Sequence, residues 1–299
     1  MMTNRDETIA WVDGKIMPAS EARLPILDHG FLFGDGVFEG IRLTPAGIFR
    51  FCDHMKRLAT ATLAIGLEVN GGFEAVREVA RETTRAWGAR SGYLRLIITR
   101  GVGALGIDPS TCPEPQIICL AASETKLSDE KDQAGLSLRT SSLRRPSPDV
   151  LDPRVKSLNY LNNVLAKREA VLSGADDALV LNANGLIAEA SATNIFALTG
   201  RRLVTPPTTD GALEGITRRT ILEIAADLGF ETSESSLGRF DLYSADAVFL
   251  TGTRTGIVPV SSLDGSAISQ AGRSDWLELR AEFSARLESL STGVESTPA

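Results

Sequence analysis

A lysine that precedes a predicted helix is the first candidate for chemistry in this sequence. Lys156 lies in RVKSLNYLNN (154–163), just ahead of a segment with apolar residues at helical spacing. Those residues are Leu158, Leu161, Leu165 and Leu172. A solvated surface lysine is the simplest interpretation, because lysine is almost never fully buried unless it is paired. A chemical role for Lys156 therefore depends on what the rest of the chain supplies.

Two segments rich in glycine and hydroxyl groups could bind an anion. LEGITRR (213–219) places Gly215, Ile216 and Thr217 at the predicted start of a helix, where backbone N–H groups and the helix dipole favour negative charge. TGTRTG (251–256) follows a predicted strand and carries further hydroxyls. Each pattern alone is also typical of ordinary helix capping or of a structural loop.

Two charged residues complete the set. Arg57, in DHMKRL (53–58), lies one turn into a predicted helix, where a guanidinium could bind a phosphate through two hydrogen bonds. Glu189, in AEASATN (188–194), lies in a predicted strand, where a half-buried carboxylate needs a cationic or N–H partner. Either residue could instead point into water.

Together these segments match what pyridoxal 5'-phosphate requires of a protein. A lysine forms a Schiff base with the cofactor aldehyde and can transfer protons. The loops and the arginine would bind the phosphate, and a carboxylate would keep the pyridine nitrogen protonated. We therefore expect this cofactor.

Composition and charge narrow the possible classes. The 299 residues predict two domains, and a net charge of −7 without a basic stripe argues against a nucleic-acid partner. The polar start MMTNRDETIA and the lack of an apolar run of about 18 residues predict no signal peptide and no membrane span, so we expect a cytoplasmic protein. Three widely spaced cysteines and two histidines predict reduced thiols and no metal site.

The mixture of predicted strands and helices indicates an α+β or α/β fold in two domains. Asp13-Gly14 predicts a hairpin turn, Asp53 predicts a helix N-cap, and an amphipathic helix is predicted from about 274 to 290. GVGALG (101–106) fits the G-x-G-x-x-G pattern, but no helical period follows it, so a flexible glycine loop or a purely structural loop is favoured over a dinucleotide site.

The domain boundaries are predicted from a charged segment without an apolar run. This segment, 123–135, would be the interdomain linker between a small N-terminal domain at 1–122 and a larger domain at 136–299. The tail, 291–299, is expected to be disordered.

Seven motifs of the sequence, in this order, resemble those of class IV aminotransferases, and most closely those of the branched-chain amino acid aminotransferases. They are GDGVFEGIR (34–42), HMKRL (54–58), YLR (93–95), KSLNYLNN (156–163), EASATNIF (189–196), LEGITR (213–218) and the Gly-Thr of TGT (251–253). The resemblance spans roughly residues 8 to 290. It implies a fold-type IV (D-amino acid aminotransferase-like) enzyme with a small α+β N-terminal domain, a barrel-like C-terminal domain and a homodimer or higher homo-oligomer.

The resemblance also implies roles for cofactor-binding residues. Lys156 would carry the Schiff base and act as the catalytic acid and base, Glu189 would pair with the pyridine nitrogen, and Tyr160 would hydrogen-bond the phenolic oxygen of the ring. The phosphate would be bound by Arg57, Ile216, Thr217 and Thr253.

For the substrates, the resemblance implies an amino acid or amine donor and a 2-oxo acid acceptor such as 2-oxoglutarate. Phe38 and Gly40 would shape an apolar pocket, Tyr93 with loop amides near Thr253 would bind the α-carboxylate, and Arg95 with Arg42 would receive the distal carboxylate of glutamate. The loop GVGALGI would reach over a neighbouring site, with Leu105 and Ile107 as apolar lining.

Arg254 departs from the pattern that the resemblance implies, since branched-chain members usually have a small residue directly after the Gly-Thr pair. An arginine there could bind a carboxylate, alter the usual binding mode or point to solvent. L-branched-chain specificity is the first expectation, and a D-amino acid or (R)-amine transaminase is the alternative. Aminodeoxychorismate lyase, NAD-dependent dehydrogenase and a cofactor-free binding protein are the remaining hypotheses.

Overall fold

The computed structural model describes residues 8–88, 90–124 and 128–293, and these fold into two units. Within the described residues, the first unit consists of 8–124, 155–159 and 286–293, and the second of 128–154 and 160–285. The predicted two-domain fold mixing strands and helices is confirmed.

The first unit is built on an antiparallel sheet whose seven described strands have the order β16-β4-β3-β5-β6-β1-β2. The strands are β1 (Ile9–Val12), β2 (Lys15–Pro18), β3 (Gly36–Thr44), β4 (Gly47–Phe49), β5 (Gly92–Thr99), β6 (Gln116–Ala122) and β16 (Ser291–Thr292). The unit's helices are α1 (His29–Phe33), α2 (Phe51–Ala64) and α3 (Gly72–Trp87).

Side chains along β3 and β5 alternate between the two faces of the sheet, and α2 and α3 cover one of these faces. Val37 and Ile41 of β3 join the hydrophobic core with Met55 and Leu58 of α2 and Val76 of α3. Because successive strand residues point to opposite faces, Phe38, Gly40 and Arg42 lie on the other face of the sheet.

Two predictions for this unit are confirmed. Asp13 and Gly14, both at positive φ (49° and 76°), connect β1 to β2 as a two-residue hairpin loop. The predicted helix at 73–87 ends at Trp87 and is followed by Gly88 at positive φ.

Two predictions are wrong. The helix N-cap is Arg50 in the left-handed conformation (φ 45°), not Asp53, which lies in the first turn of α2 and pairs with Arg50 at 3.5 Å. The tail is not wholly disordered, because β16 pairs with β4 through Ser291 and Phe49. The remainder of the predicted tail, 294–299, lies outside the described residues.

The second unit contains a nine-stranded mixed sheet. Its strand order is β12-β11-β10-β13-β14-β7-β8-β9, with β15 paired to β14. The strands are β7 (Leu136–Arg144), β8 (Asp177–Leu181), β9 (Ile187–Ala190), β10 (Asn194–Thr199), β11 (Arg202–Thr205), β12 (Glu231–Glu234), β13 (Ala247–Gly252), β14 (Gly256–Leu263) and β15 (Ser266–Ala267).

Six helices accompany this sheet in the described residues, and the first of them lies within the predicted linker. They are α4 (Asp129–Ala134), α5 (Pro148–Leu151), α6 (Leu161–Leu172), α7 (Ile216–Asp227), α8 (Arg239–Ser244) and α9 (Arg273–Arg286). Thus α4 occupies part of the charged segment that the sequence indicated as a linker. Among the described residues, none of the helices is long and apolar enough to cross a membrane.

The apolar pattern after Lys156 does not mark a buried helix face. The chain becomes helical only at Leu161, and Leu161, Leu165 and Leu172 are exposed. The buried residues of α6 include Ala166 and Ala170, which pack against Ala178 and Val180 of β8. Small residues allow this close approach between helix and strand, so the pattern of leucines predicted the helix but the wrong buried face.

Candidate active site

The backbone of Lys156 is held against β3 by hydrogen bonds. Phe38 donates its N–H to the carbonyl of Lys156 at 2.9 Å, and Leu158 donates to the carbonyl of Gly36 at 2.9 Å. Ser157 forms an isolated bridge with Val37. The sequence predicted that Lys156 stands at the entrance of a helix. It instead lies beside β3, and hydrogen bonds of the neighbouring backbone define its position.

Five of the predicted substrate residues share one face of this sheet. Phe38, Gly40 and Arg42 alternate along β3, while Tyr93 and Arg95 lie opposite Arg42 and Gly40 on β5. This face is opposite to the one that α2 and α3 cover. The structure therefore brings together these residues, which are separated in the sequence.

The aromatic ring of Phe38 lies close to two cationic groups. The Lys156 ammonium is 4.6 Å from the ring centroid, and the Arg95 guanidinium carbon is 4.0 Å from it. Both distances permit cation–π attraction. Phe38 is 3% exposed, so it supplies an apolar surface and at the same time orients two charged side chains.

Tyr93 and Arg42 are also held in place by neighbours. The phenol of Tyr93 lies over Gly40, where an added β-carbon would be 2.7 Å from Tyr93 Cζ. Arg42 forms an ion pair with Glu124 at 2.8 Å. Burial lowers the pKa of Arg42, and Glu124 opposes this change. A substrate carboxylate at Arg42 would therefore compete with Glu124.

Arg57 is engaged by a buried carboxylate that sequence reasoning missed. Its Nε and Nη2 donate to Oε1 and Oε2 of Glu39, each at 2.7 Å. His54 Nδ1 lies 2.8 Å from Glu39 Oε2. The sequence did contain a sign of this cluster, because His54 and Arg57 are three residues apart and so share a helix face that could meet one carboxylate.

In the second unit, Glu189 is buried and surrounded by donors. Arg145 Nη2 lies 2.7 Å from its Oε1, while Asn194 Nδ2 and the Leu213 N–H each donate to Oε2 at 3.1 Å. The prediction that this carboxylate needs a cationic or N–H partner is confirmed. Arg145, whose Nε donates to the Gly211 carbonyl at 3.0 Å, was not predicted, because its distance along the chain hides the pairing.

The start of α7 has the features of an anion site. Its N-cap, Gly215, is extended, and the first N–H to bond back is that of Arg219, so those of Ile216 and Thr217 precede the helical pattern. The hydroxyl of Thr217 is buried without a hydrogen-bond partner among the described residues. A β-carbon at Gly215 would be 3.2 Å from Asn194 Cγ, so this residue must be small.

The turn between β13 and β14 carries more hydroxyl groups. Within the described part of the chain, Thr251 and Thr255 have buried hydroxyls that lack a hydrogen-bond partner. Thr253 is half-buried and Arg254 is exposed in the same turn. Unpartnered buried hydroxyls are costly, and a phosphate or carboxylate oxygen would satisfy them. The donors at this turn and at the start of α7 therefore fit the phosphate group of pyridoxal phosphate.

The remaining predicted site residues, Tyr160, Leu105 and Ile107, are half-buried or exposed. Tyr160 is half-buried immediately before α6. Leu105 and Ile107 are exposed in the loop after β5, which is tied to the segment before α1 by a bridge between Asp28 and Val102. A 3₁₀ turn, Pro109–Thr111, follows GVGALG in place of an α-helix, so the dinucleotide interpretation of this motif is wrong.

Comparison with known proteins agrees with this arrangement. The model of the class IV amino-transferase family matches residues 36–263. A Methanocaldococcus jannaschii protein is 41% identical over 87% of this chain and 89% of its own length. The Pseudomonas aeruginosa branched-chain-amino-acid aminotransferase is 35% identical over 91% of this chain and 89% of its own.

The fold shows the same relationship. The structure of the Thermobaculum terrenum branched-chain amino acid aminotransferase in its pyridoxal phosphate form has a TM-score of 0.82 and 28% identity, covering 97% of this chain and 96% of its own. With the family match spanning most of the chain, the conclusion follows: this protein belongs to the class IV aminotransferases, which are pyridoxal phosphate-dependent enzymes.

Proposed function

We propose that the protein transfers the amino group of an L-branched-chain amino acid to 2-oxoglutarate. The observation that carries this proposal is the face of the first sheet that combines Lys156 with the apolar ring of Phe38 and the guanidinium of Arg95. Transamination needs a lysine amine, and the two half-reactions need one pocket to accept an apolar chain and a carboxylate. The names of the relatives agree with this substrate class.

Lys156 is the proposed catalytic residue. When bound, pyridoxal phosphate supplies an aldehyde for the lysine and an electron-withdrawing ring for the substrate. The amine of Lys156 would take the proton from the substrate α-carbon and deliver it to the former aldehyde carbon of the cofactor, and would carry it in the reverse direction when the 2-oxo acid acceptor is aminated. Its backbone bonds to β3 support this role, because they hold the reactive amine in a defined position.

Glu189 is the proposed partner of the pyridine nitrogen. Three donors, from Arg145, Asn194 and Leu213, hold the carboxylate in one orientation. A carboxylate so oriented can accept a hydrogen bond from a protonated ring nitrogen. Tyr160 would bond the phenolic oxygen of the ring.

The phosphate would be bound by residues from several elements. We assign Arg57, the N–H groups of Ile216 and Thr217, and Thr253 to it, as the motifs predict. The unpartnered hydroxyls of Thr217 and Thr251 support a phosphate, because each needs an acceptor or donor that the described chain does not provide.

In the substrate pocket, Phe38 and Gly40 would contact the side chain of the amino acid. Tyr93 and the amides near Thr253 would bind the α-carboxylate. Arg95 would receive the distal carboxylate of glutamate, by exchanging its contact with Phe38 for a charged hydrogen bond. Arg42 would assist, in competition with Glu124.

A D-amino acid or (R)-amine transaminase is the second candidate, and Arg254 is the observation that favours it. This side chain is exposed in the turn that follows β13. An arginine there could hold a carboxylate that the L-specific mode directs elsewhere.

We further propose a homodimer and a cytoplasmic location. Exposed apolar side chains gather in the segment before and within α1 and in the loop after β5, and soluble monomers rarely expose large contiguous apolar patches. They are Leu24, Ile26, Phe31, Leu105 and Ile107. The three cysteines are unpaired, which supports a reducing compartment.

One spectroscopic experiment tests the proposed reaction. The visible imine band of the purified holoenzyme is followed while L-leucine and D-alanine are added separately. Loss of the band with L-leucine alone is the expected result. A response to D-alanine alone would replace the L-branched-chain proposal with the D-amino acid alternative. Absence of an imine band after addition of pyridoxal phosphate would contradict the assignment of Lys156.

A further inference from the structure

A buried acidic residue lies on the helix-covered face of the first unit's sheet. Glu39 stands in β3 between Phe38 and Gly40, and its side chain is 1% exposed. A carboxylate in such a place is costly unless charged and hydrogen-bonded partners meet it. No step of the proposed reaction involves Glu39, so its burial needs another explanation.

Two residues of α2 satisfy this carboxylate. Arg57 binds it in bidentate fashion through Nε and Nη2, with both distances at 2.7 Å. His54 Nδ1 lies 2.8 Å from Oε2 and is itself fully buried. The carboxylate therefore has a fixed orientation, and it fixes the plane of the Arg57 guanidinium in turn.

The charges within this cluster cancel. Burial by itself raises the pKa of Glu39, but the charges and hydrogen bonds of Arg57 and His54 outweigh it and hold the pKa far below its ordinary value. Burial lowers the pKa of His54, although Glu39 opposes this change. Glu39 is thus ionised and His54 neutral, so within the cluster Arg57 supplies the positive charge that compensates the carboxylate.

We infer that Glu39 is a positioning residue for the cofactor phosphate, which acts by fixing the guanidinium of Arg57, and that His54 fixes Glu39. The inference rests on the proposed function, in which Arg57 binds the phosphate. A compensated ion pair offers the phosphate little net charge. Arg57 therefore works through the direction of its other N–H groups, and a pre-ordered guanidinium loses less conformational freedom on binding.

Replacement of Glu39 by glutamine distinguishes two effects on phosphate binding, the orientation of the Arg57 guanidinium and the net charge around it. Glu39→Gln adds one unit of positive charge near Arg57, so charge alone would strengthen the binding of a phosphate dianion. Loss of positioning would weaken it instead. The protein, freed of cofactor, is titrated with pyridoxal phosphate and with pyridoxal, which lacks the phosphate, and the two dissociation constants are compared.

The expected result is specific to the phosphate. In Glu39→Gln, the preference for pyridoxal phosphate over pyridoxal should fall by about tenfold or more, the scale of one hydrogen bond to a charged group. Pyridoxal binding itself should change little. Glu78→Gln, which removes a charge from a half-buried position on α3, is the matched control and should leave the preference unchanged.

An unchanged or larger preference in Glu39→Gln would overturn the inference. If this variant does not fold, Glu39→Asp is measured in its place, because it keeps the negative charge but moves the carboxylate away from Arg57. An unchanged preference for pyridoxal phosphate in Glu39→Asp would also overturn the inference. A wild-type protein that binds neither compound, or binds both equally, would instead contradict the proposed function.

Discussion

The phenol of Tyr93 lies directly over Gly40 of the neighbouring strand, where a β-carbon would be 2.7 Å from Tyr93 Cζ. Gly40 faces Arg95 across the ladder between β3 and β5, and Tyr93 faces Arg42. The absence of a side chain at Gly40 therefore sets the position of a proposed substrate-binding phenol.

Gly40→Ala should displace the phenol and impair substrate binding. Overpacking of this kind costs about 1–3 kcal/mol, so we expect kcat/KM for L-leucine to fall by roughly tenfold or more. The imine band should remain, because Lys156 is not moved. Steady-state kinetics check this, with Gly238→Ala as the control, since a β-carbon there meets its nearest atom at 3.6 Å. Unaltered kinetics in Gly40→Ala would contradict the role of Tyr93.

Lys156→Ala should fold normally and lose both turnover and the imine band. Normal folding is expected because the backbone hydrogen bonds that attach this segment to β3 remain in the variant. Lys56→Ala, at an exposed position of α2, is the matched control. Thermal unfolding, absorbance and turnover are measured on both variants. Residual turnover near the wild-type rate in Lys156→Ala would disprove the proposed catalytic residue.

Arg145→Met should destabilise the protein strongly, because it leaves the buried carboxylate of Glu189 without its cation. Removal of one partner from a buried pair costs about 3–5 kcal/mol. Denaturant unfolding of the cofactor-free protein measures this. Arg139→Met, in which an exposed arginine is removed from β7, should change the free energy of unfolding by less than about 1 kcal/mol. Equal effects of the two replacements would contradict the special environment of Glu189.

The cluster of Glu39 and His54 should make the protein sensitive to acid. The folded pKa of His54 is lowered below 6.5, so below this pH the unfolded chain binds a proton that the folded protein does not. The folded pKa of Glu39 is lowered below 4.5, which adds a loss of the same sign at lower pH. The contribution of His54 is thus present above about pH 6.5 and is lost as the pH falls, by up to about 1.4 kcal/mol per pH unit.

Urea unfolding at a series of pH values between about 7.5 and 5 checks this pH dependence. The variant His54→Asn removes the titrating group and should flatten the slope in this range. Its free energy of unfolding should be lower than that of the wild type at neutral pH, because the hydrogen bond to Glu39 is weakened. A slope equal to that of the wild type would assign the acid sensitivity to other residues.

Local signals in the sequence predicted the elements well where the structure depends on local chemistry. Asp13-Gly14 forms a hairpin because the two residues adopt the positive φ that the turn needs. The helix that ends before Gly88 follows from its apolar period and its terminal glycine. The prediction at Asp53 was wrong because Arg50 takes the left-handed conformation and starts the helix earlier.

Pairings between distant residues were not predictable in this way. Glu189 required a partner on physical grounds, but only the folding of β9 next to the segment after β7 identified Arg145. Likewise, Arg57 was assigned to a phosphate from its helix position and from the family resemblance, and the bond to Glu39 of β3 emerged only from the packing of α2 on the sheet.

By itself, the sequence determined the types of groups and the family, since the lysine, carboxylate, arginine and hydroxyl motifs are short and contiguous. Only the tertiary structure decided how these groups are supported: Lys156 lies against β3 and Tyr93 over Gly40, while Glu39 stands behind Arg57. The reason is physical, because strand register and the burial of charge depend on contacts between segments far apart in the chain.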